Sequence, residues 1–165
     1  MAYDFSRLNV VVIDSNAFSR RILRSLLNAV GVPSGSQKEM PDPESALTDL
    51  KHFLPDLVFC EINFPGMSGI DYIKAVRQQE DEEARYLPII VCTAHTDQRR
   101  VLACRDAGAH EVLHKPMSVK TLYQHVVSVI EHPRSFVYAP VFAGPDRRRR
   151  KETPVKTRRS DDQPA

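Results

Sequence analysis

The sequence has no tryptophan, no long apolar run and only three cysteines, and these absences exclude several classes of protein. A membrane-spanning helix needs about 20 consecutive apolar residues, and no segment approaches that length. Residues 1–5 lack the basic and then apolar layout of a secretion signal. Cys60, Cys92 and Cys104 form no CxxC pair and fit no zinc-site spacing, so we expect buried thiols. We therefore expect a cytoplasmic protein without membrane insertion.

Charge is divided unevenly along the 165 residues, whose net charge is +2. Residues 133–165 contain nine Lys or Arg and four Asp or Glu, which gives this segment a net charge of +5. The remaining 132 residues therefore carry −3. This division predicts an acidic body and a basic tail that has its own anionic partner.

Short apolar runs alternate with helical patterns in the body. The predicted strands cover residues 8–13, 36–40, 57–60, 88–92 and 112–113. Helices are predicted after each strand, and the first carries apolar residues at four-residue spacing: Phe18, Ile22, Leu26 and Val30. Five strands alternating with five helices predict an α/β fold with a doubly wound, five-stranded parallel sheet. Ligand sites in such folds lie at the carboxyl ends of the strands.

Four short motifs follow the predicted strands, and together they resemble the receiver (CheY-like) family over residues 7–131. The motifs are Asp14-Ser15 with Arg20-Arg21, Glu61-Ile62-Asn63-Phe64-Pro65-Gly66, Thr93-Ala94, and Lys115-Pro116. The resemblance implies a flavodoxin-like fold and a response-regulator role in two-component signal transduction. It also implies a phosphoacceptor pocket that contains Asp14, Ser15, Glu61, Asn63, Thr93 and Lys115.

This pocket departs from the family pattern at two positions. Typical receivers hold Mg²⁺ with two acids after the first strand and an Asp after the third, and that Asp accepts the phosphoryl group. Here Ser15 replaces the second acid and Glu61 replaces the nucleophilic Asp. The extra methylene moves the carboxylate by about 1.5 Å, and errors of about 1 Å can cost 100-fold in rate. We therefore predict no enzymatic activity, no phospho-switching and at most a weakened Mg²⁺ site at Asp14.

Two interpretations of Glu61 stay open at this point. Glu61 could reach Lys115 and Thr93 and partly mimic phospho-aspartate. Alternatively, Glu61 only keeps Lys115 paired, and phosphorylation is no longer needed. The family's aromatic switch position, three residues before the Lys, is Val112 here, so the usual coupling of a Thr hydroxyl to an aromatic rotamer cannot operate.

The basic tail, residues 132–165, mixes arginines with aspartates. A pure phosphate-binding arm would avoid carboxylates, whereas Arg can pair with guanine O6 and N7 and Asp can accept from guanine N1–H and N2–H₂. An aromatic ring can add a stacking face, and further guanidinium groups can hold phosphates. This set suits cyclic di-GMP, bound singly or as a stacked dimer. The candidate residues are Tyr138, Asp146, Arg147, Arg148, Arg149, Arg150, Arg158, Arg159, Asp161 and Asp162.

A receiver with such a tail resembles the Cle family of CheY-like cyclic di-GMP effectors. The resemblance implies that the tail folds around the nucleotide and that the body engages the flagellar motor switch in motility and chemotaxis. No strand or helix period continues past His132, so we expect the tail to be disordered without ligand. Two alternatives stay open: a receiver phosphorylated by a histidine kinase with a basic docking tail, and a tail that binds nucleic acid.

Overall fold

The computed structural model describes residues 3–146 of the chain. Most of the arginine-rich tail, including Arg147 to Arg150, Arg158, Arg159, Asp161 and Asp162, lies outside the described residues. Within residues 3–146, no helix is both long enough and apolar enough to cross a bilayer. All three cysteines are buried free thiols, as the apolar surroundings of Cys60 and Cys92 predict.

The fold is the predicted doubly wound α/β arrangement, with one parallel sheet in the order β2-β1-β3-β4-β5. The strands are β1 Val10–Ile13, β2 Gln37–Met40, β3 Leu57–Cys60, β4 Ile89–Thr93 and β5 Glu111–His114. The helices are α1 Ala17–Val30, α2 Pro43–Asp49, α3 Gly69–Arg77, α4 Glu82–Arg85, α5 Gln98–Ala107 and α6 Val119–Glu131. A 3₁₀ turn, Ser34–Ser36, precedes β2. The turn and the single-turn helix α4 are additions to the elements that the sequence predicts.

Local sequence signals set the helix ends. The side chains of Asn16, Asp42, Ser68, Asp97 and Ser118 each accept a hydrogen bond from a backbone N–H in the first turn of the helix that follows. Such caps satisfy N–H groups that have no partner within the helix. Gly31 and Gly108 end α1 and α5 with φ of 107° and 110°, a left-handed conformation that favours glycine.

The core forms two apolar layers, one on each face of the sheet, because alternate strand residues point to opposite sides. Val11, Ile13 and Val58 belong to one layer, and Val10 and Val12 belong to the other. Phe5 is also buried in the second layer, so the packed body begins before residue 7.

The predicted apolar stripe of α1 is only partly buried. Leu23 and Leu27 are buried, whereas Phe18 is 68% exposed and Ile22 is 46% exposed. A strict four-residue spacing rotates by about 40° per step around a helix, so the predicted stripe drifts away from the core. The helix is amphipathic as predicted, and Leu26 and Val30 of the predicted stripe are partly buried against the core.

Residues 136–145 form two strands, contrary to the predicted absence of structure after His132. Strands β6 (Phe136–Ala139) and β7 (Phe142–Pro145) pair antiparallel as a hairpin. The hairpin packs against α5, the Phe136 ring lies 4.2 Å from the Tyr86 ring, and Gly144 touches Gly108 closely. A Cβ atom on Gly144 would lie 2.6 Å from the Gly108 Cα atom. Contacts with the body therefore stabilise strands that are too short and too irregular to predict from their own sequence.

Candidate functional site

The predicted phosphoacceptor residues follow the strands of the sheet. Asp14 and Glu61 come directly after β1 and β3, Thr93 ends β4, and Lys115 follows β5. Because these strands are parallel, their carboxyl ends meet at one edge of the sheet, where the fold class places its ligand sites. The structure thus brings together the groups that the receiver resemblance selects.

Lys115 joins the two carboxylates at this edge. Its Nζ atom donates to Asp14 Oδ2 at 2.7 Å and to Glu61 Oε2 at 2.9 Å. The Ser19 hydroxyl lies 3.3 Å from the same nitrogen and accepts its third hydrogen bond. The Lys115 ammonium therefore has all three of its donors engaged inside the protein. The sequence motifs do not identify Ser19, because the face of α1 that borders the pocket is determined by how the helix packs against the sheet.

The second oxygen of Glu61 is also engaged, since Oε1 accepts from the backbone N–H of Ile62 at 2.6 Å. Thr93 is fully buried, and its Oγ1 atom accepts from the His95 N–H at 3.1 Å. A mimic of phospho-aspartate would contact both Lys115 and the Thr93 hydroxyl. Glu61 contacts Lys115, whereas the Thr93 hydroxyl oxygen accepts a hydrogen bond from the loop that follows β4. This geometry favours the interpretation in which Glu61 keeps Lys115 paired.

The residues at this edge do not fit the Mg²⁺ site of a receiver. Asp14 is 6% exposed, and its carboxylate binds Lys115 and the Asn16 N–H, while Ser15 is exposed and has no carboxylate to offer. Asn63 is exposed as well. Mg²⁺ requires near-octahedral oxygen ligands, whereas here an ammonium already lies between the two carboxylates. No cluster of three or more His, Cys, Asp or Glu residues suited to a metal occurs in residues 3–146.

The ion pairs should give stability a distinct pH dependence. Burial lowers the pKa of Lys115, but the hydrogen bonds and charges of Asp14 and Glu61 outweigh it, so the pKa lies above its ordinary 10.5. A raised pKa in the folded state means that this stabilisation is complete below pH 10.5 and is lost as pH rises through the folded pKa. Urea unfolding of the unmodified chain and of Lys115→Met should therefore differ most at neutral pH, and the difference should shrink as pH rises above 10.5. The exposed Lys120→Met is the control, and a difference that stays constant as pH rises from neutral to above 10.5 would contradict the assignment.

A cavity of about 350 Å³ opens beside this network. Asp14, Glu61 and Lys115 line its polar end, and its other walls are mainly apolar side chains: Val12, Phe18, Ile22, Leu23, Leu26, Phe59, Cys92 and Met117. Most of this space offers neither the cations nor the oxygen ligands that a phosphoryl group and its metal need. The edge is thus chemically unlike a working phosphoacceptor pocket.

The output face of typical receivers corresponds here to α5, β5 and α6. Val112 is half-buried and packs against the core, so no aromatic switch operates at this position. His114 is exposed and its Nδ1 atom lies 3.1 Å from Thr96 Oγ1. Burial lowers the pKa of His110 to about 3, with help from the Arg77 charge, so His110 is neutral and its Nδ1 accepts from the Ile89 N–H. His110 is therefore a packing residue and His114 a surface residue.

Two of the predicted ligand-binding residues of the tail lie within the described part of the chain. Tyr138 lies on β6, is 61% exposed, and stacks with the Arg85 guanidinium 4.4 Å from its ring centre. Asp146 directly follows β7, and its N–H donates to Ser135 O at 2.7 Å. The hairpin contacts the elements next to the amino ends of β4 and β5, so the tail starts at the edge opposite the Glu61 pocket. The structure thus separates the two groups of candidate residues.

Comparison with known proteins agrees with the fold. The response regulator receiver domain family matches residues 10–127. Chemotaxis protein CheY-3 of Vibrio cholerae is 31% identical over 124 residues, which cover 75% of this chain and 92% of that protein. Chemotaxis protein CheY of Pseudomonas aeruginosa is 27% identical, with coverage of 75% and 97%. The crystal structure of Vibrio cholerae CheY4 is 25% identical, has a TM-score of 0.65, and is matched over 73% of this chain and 96% of that one. The chain belongs to the response regulator receiver family.

Proposed function

We propose that this protein is a cyclic di-GMP effector in which the arginine-rich tail binds the nucleotide and the receiver body carries the signal to a protein partner. The observation that carries the proposal is the closed Lys115 network: both carboxylates at the receiver edge are held by an internal ammonium. A receiver whose acceptor carboxylate is held by its own lysine needs its input elsewhere.

The tail supplies chemistry suited to that input. Guanidinium groups can donate to guanine O6 and N7 and to phosphate oxygens, while carboxylates can accept from the N1–H and N2–H₂ donors of guanine. Tyr138 adds an aromatic face that is mostly exposed. The combination also resembles the Cle family, and within it CleD, through the run from Ala139 to Arg150.

The proposed partner of the body is the flagellar motor switch. The support is the Cle resemblance together with two relatives that are chemotaxis proteins. Strand β5 with α5 and α6 is the surface through which receivers typically act, and it is complete in this chain. Binding of cyclic di-GMP would then control motility through this surface.

Isothermal titration of cyclic di-GMP into the full chain tests the proposal. We expect saturable binding, with cyclic di-AMP at least tenfold weaker, because adenine lacks the donor pair that Asp accepts. Duplex DNA of equal phosphate concentration serves as the charge control. No binding by the full chain, or equal binding of the two dinucleotides, would contradict the proposal.

The competing function, phosphorylation by a histidine kinase, is tested on the same protein. Acetyl phosphate with Mg²⁺ should leave the mass of the chain unchanged, because Lys115 holds the Glu61 carboxylate and the magnesium ligands are incomplete. Restoring the family residues with Glu61→Asp and Ser15→Asp is the positive control. A hydrolysable adduct on the unmodified chain that disappears in Glu61→Ala would favour phosphorylation as the input.

A further inference from the structure

The cavity at the carboxyl edge of the sheet has a volume of about 350 Å³, which is within the usual range for small-molecule sites. It lies between α1 and the ends of β1, β3 and β4, and the segment after β5 closes one side. Most of the lining residues are apolar, and four are polar: Asp14, Ser19, Glu61 and Lys115. Small-molecule sites typically combine apolar walls with a few converging polar groups, and this cavity has the same division.

The apolar wall formed by α1 reaches from the core to the solvent. Leu23 of α1 and Phe59 of β3 are buried in the wall, whereas Phe18 is 68% exposed and Ile22 is 46% exposed. A ligand in the cavity would remove apolar surface of Phe18 and Ile22 from water, which favours binding in proportion to the area covered. This wall therefore suits a ligand with an apolar body.

The polar end of the cavity offers hydrogen-bond acceptors. Lys115 uses its three donors on Asp14, Glu61 and Ser19, so its ammonium has none left for a ligand. Each carboxylate accepts one bond from Lys115 and one from a backbone N–H group. A carboxylate has about four lone-pair sites, so both can accept further bonds. This end therefore suits a head group that donates hydrogen bonds.

The charged groups that line the cavity add up to −1. Asp14 and Glu61 contribute −1 each, and Lys115 contributes +1. The Arg20 guanidinium donates to the Asp14 backbone carbonyl, but it is paired with Glu39 and does not line the cavity. A partly buried charge is screened less by solvent than a surface charge. The cavity therefore favours a cationic head group over an anionic one.

The geometry points to this cavity as a binding site for a small amphiphilic amine, whose ammonium group lies against the Asp14 and Glu61 carboxylates and whose apolar body lies along the exposed side chains of α1. The ligand adds the one cation that balances the second carboxylate, and Lys115 keeps its own bonds. The cavity lies at the edge of the sheet opposite the hairpin, so this assignment does not depend on cyclic di-GMP binding.

Fluorescence of N-phenyl-1-naphthylamine, an uncharged probe that brightens in apolar surroundings, reports occupancy of the cavity in the full chain. Octylamine, octanol and octanoate then compete with the probe at pH 7, since they share one alkyl chain and differ in the head group. We expect octylamine to displace the probe at a concentration at least about tenfold lower than octanoate, with octanol between them. No saturable probe binding, equal displacement by the three competitors, or tighter binding of octanoate would overturn the assignment.

Glu61→Gln tests the polar end of the cavity. This variant removes one negative charge and leaves Asp14 and Lys115 in balance, so octylamine should lose most of its advantage over octanol. Glu83→Gln, at an exposed position of α4, is the control and should keep that advantage. If octylamine has the same advantage in both variants, its head group does not lie at these carboxylates and the assignment is wrong.

Ile22→Gln tests the apolar wall. The variant should bind the probe about fivefold more weakly, because glutamine offers less apolar surface than isoleucine. Leu102→Gln on α5 is the matched control, since Leu102 is 45% exposed and does not line the cavity. Urea unfolding verifies that both variants fold. Equal probe binding by the two variants would place the probe elsewhere on the protein and would overturn the assignment.

Discussion

Replacing Arg77 by methionine is expected to lower the free energy of unfolding by about 3 kcal/mol or more. The Arg77 side chain is 2% exposed, and its guanidinium links the Gly108 carbonyl after α5 with the Arg85 and Leu87 carbonyls at the end of α4 and just after it. Burial lowers the pKa of Arg77 to about 9, so it is charged at neutral pH. Methionine fills much of the space but leaves these carbonyls without donors, and each such group costs about 1–3 kcal/mol. Urea unfolding at pH 7 measures the loss.

Two further variants test whether the lost hydrogen bonds of Arg77 cause the lower free energy of unfolding. Arg105→Met removes an exposed arginine from α5 and should change the free energy of unfolding by no more than about 0.5 kcal/mol. Arg77→Lys should recover part of the stability, since an ammonium keeps the charge but not the fork of five donors. The hairpin should loosen in Arg77→Met as well, because the Phe136 ring lies 5.1 Å from the guanidinium carbon. Equal unfolding free energies for Arg77→Met and Arg105→Met would show that the carbonyls find other donors.

The sheet and its helices could be predicted because their signals are local. Each strand is a short apolar run, and each predicted helix begins at a capping side chain such as Asn16 or Asp97. The hairpin could not be predicted in this way. Its strands contain Pro145 and Gly144, and they are stabilised by contacts with Tyr86 and Gly108, which are distant in sequence. Arg77 illustrates the same limit, since a basic residue in a last helical turn ordinarily predicts a solvent-exposed side chain.

The residues of the candidate pocket could be predicted from the sequence, but the hydrogen bonds between them could not. The motifs identify Asp14, Glu61 and Lys115, and the parallel sheet brings them to one edge. Sequence alone left open whether Glu61 also reaches Thr93, because that depends on the path of the loop after β4. In the structure this loop turns so that the His95 N–H binds the Thr93 hydroxyl. The pairing of Glu61 with Lys115 therefore does not extend to a full mimic of phosphorylation.

The two edges of the sheet have different chemistry, and α5 runs between them. It begins at Asp97, close to the loop in which Thr96 contacts His114, and it ends at Gly108 against the hairpin. In this chain the carboxyl edge is closed by its own ion pairs, while the hairpin edge carries a groove and the start of the arginine-rich tail. Under the proposed function, an input at the hairpin would reach α5 at the end opposite the Glu61 pocket.

Replacing the tail arginines is expected to produce the largest change in ligand affinity. Converting Arg147, Arg148, Arg149 and Arg150 together to glutamine should weaken cyclic di-GMP binding at least about 100-fold. Hydrogen bonds to charged groups contribute about 1.5–3 kcal/mol each, and every 1.4 kcal/mol corresponds to a factor of ten. Titration calorimetry of the full chain at fixed ionic strength measures the effect.

A second quadruple variant separates specific contacts from net charge. It converts four exposed basic residues of the body to glutamine and so changes the net charge by the same amount: Arg7, Arg21, Arg99 and Lys120. If the tail arginines contact guanine and phosphate directly, this variant should bind within about threefold of the unmodified chain, since solvent largely screens distant surface charges. Equal losses in the two variants would mean that the tail only attracts anions. The chain would then have neither a working phosphoacceptor pocket nor a specific ligand as its input.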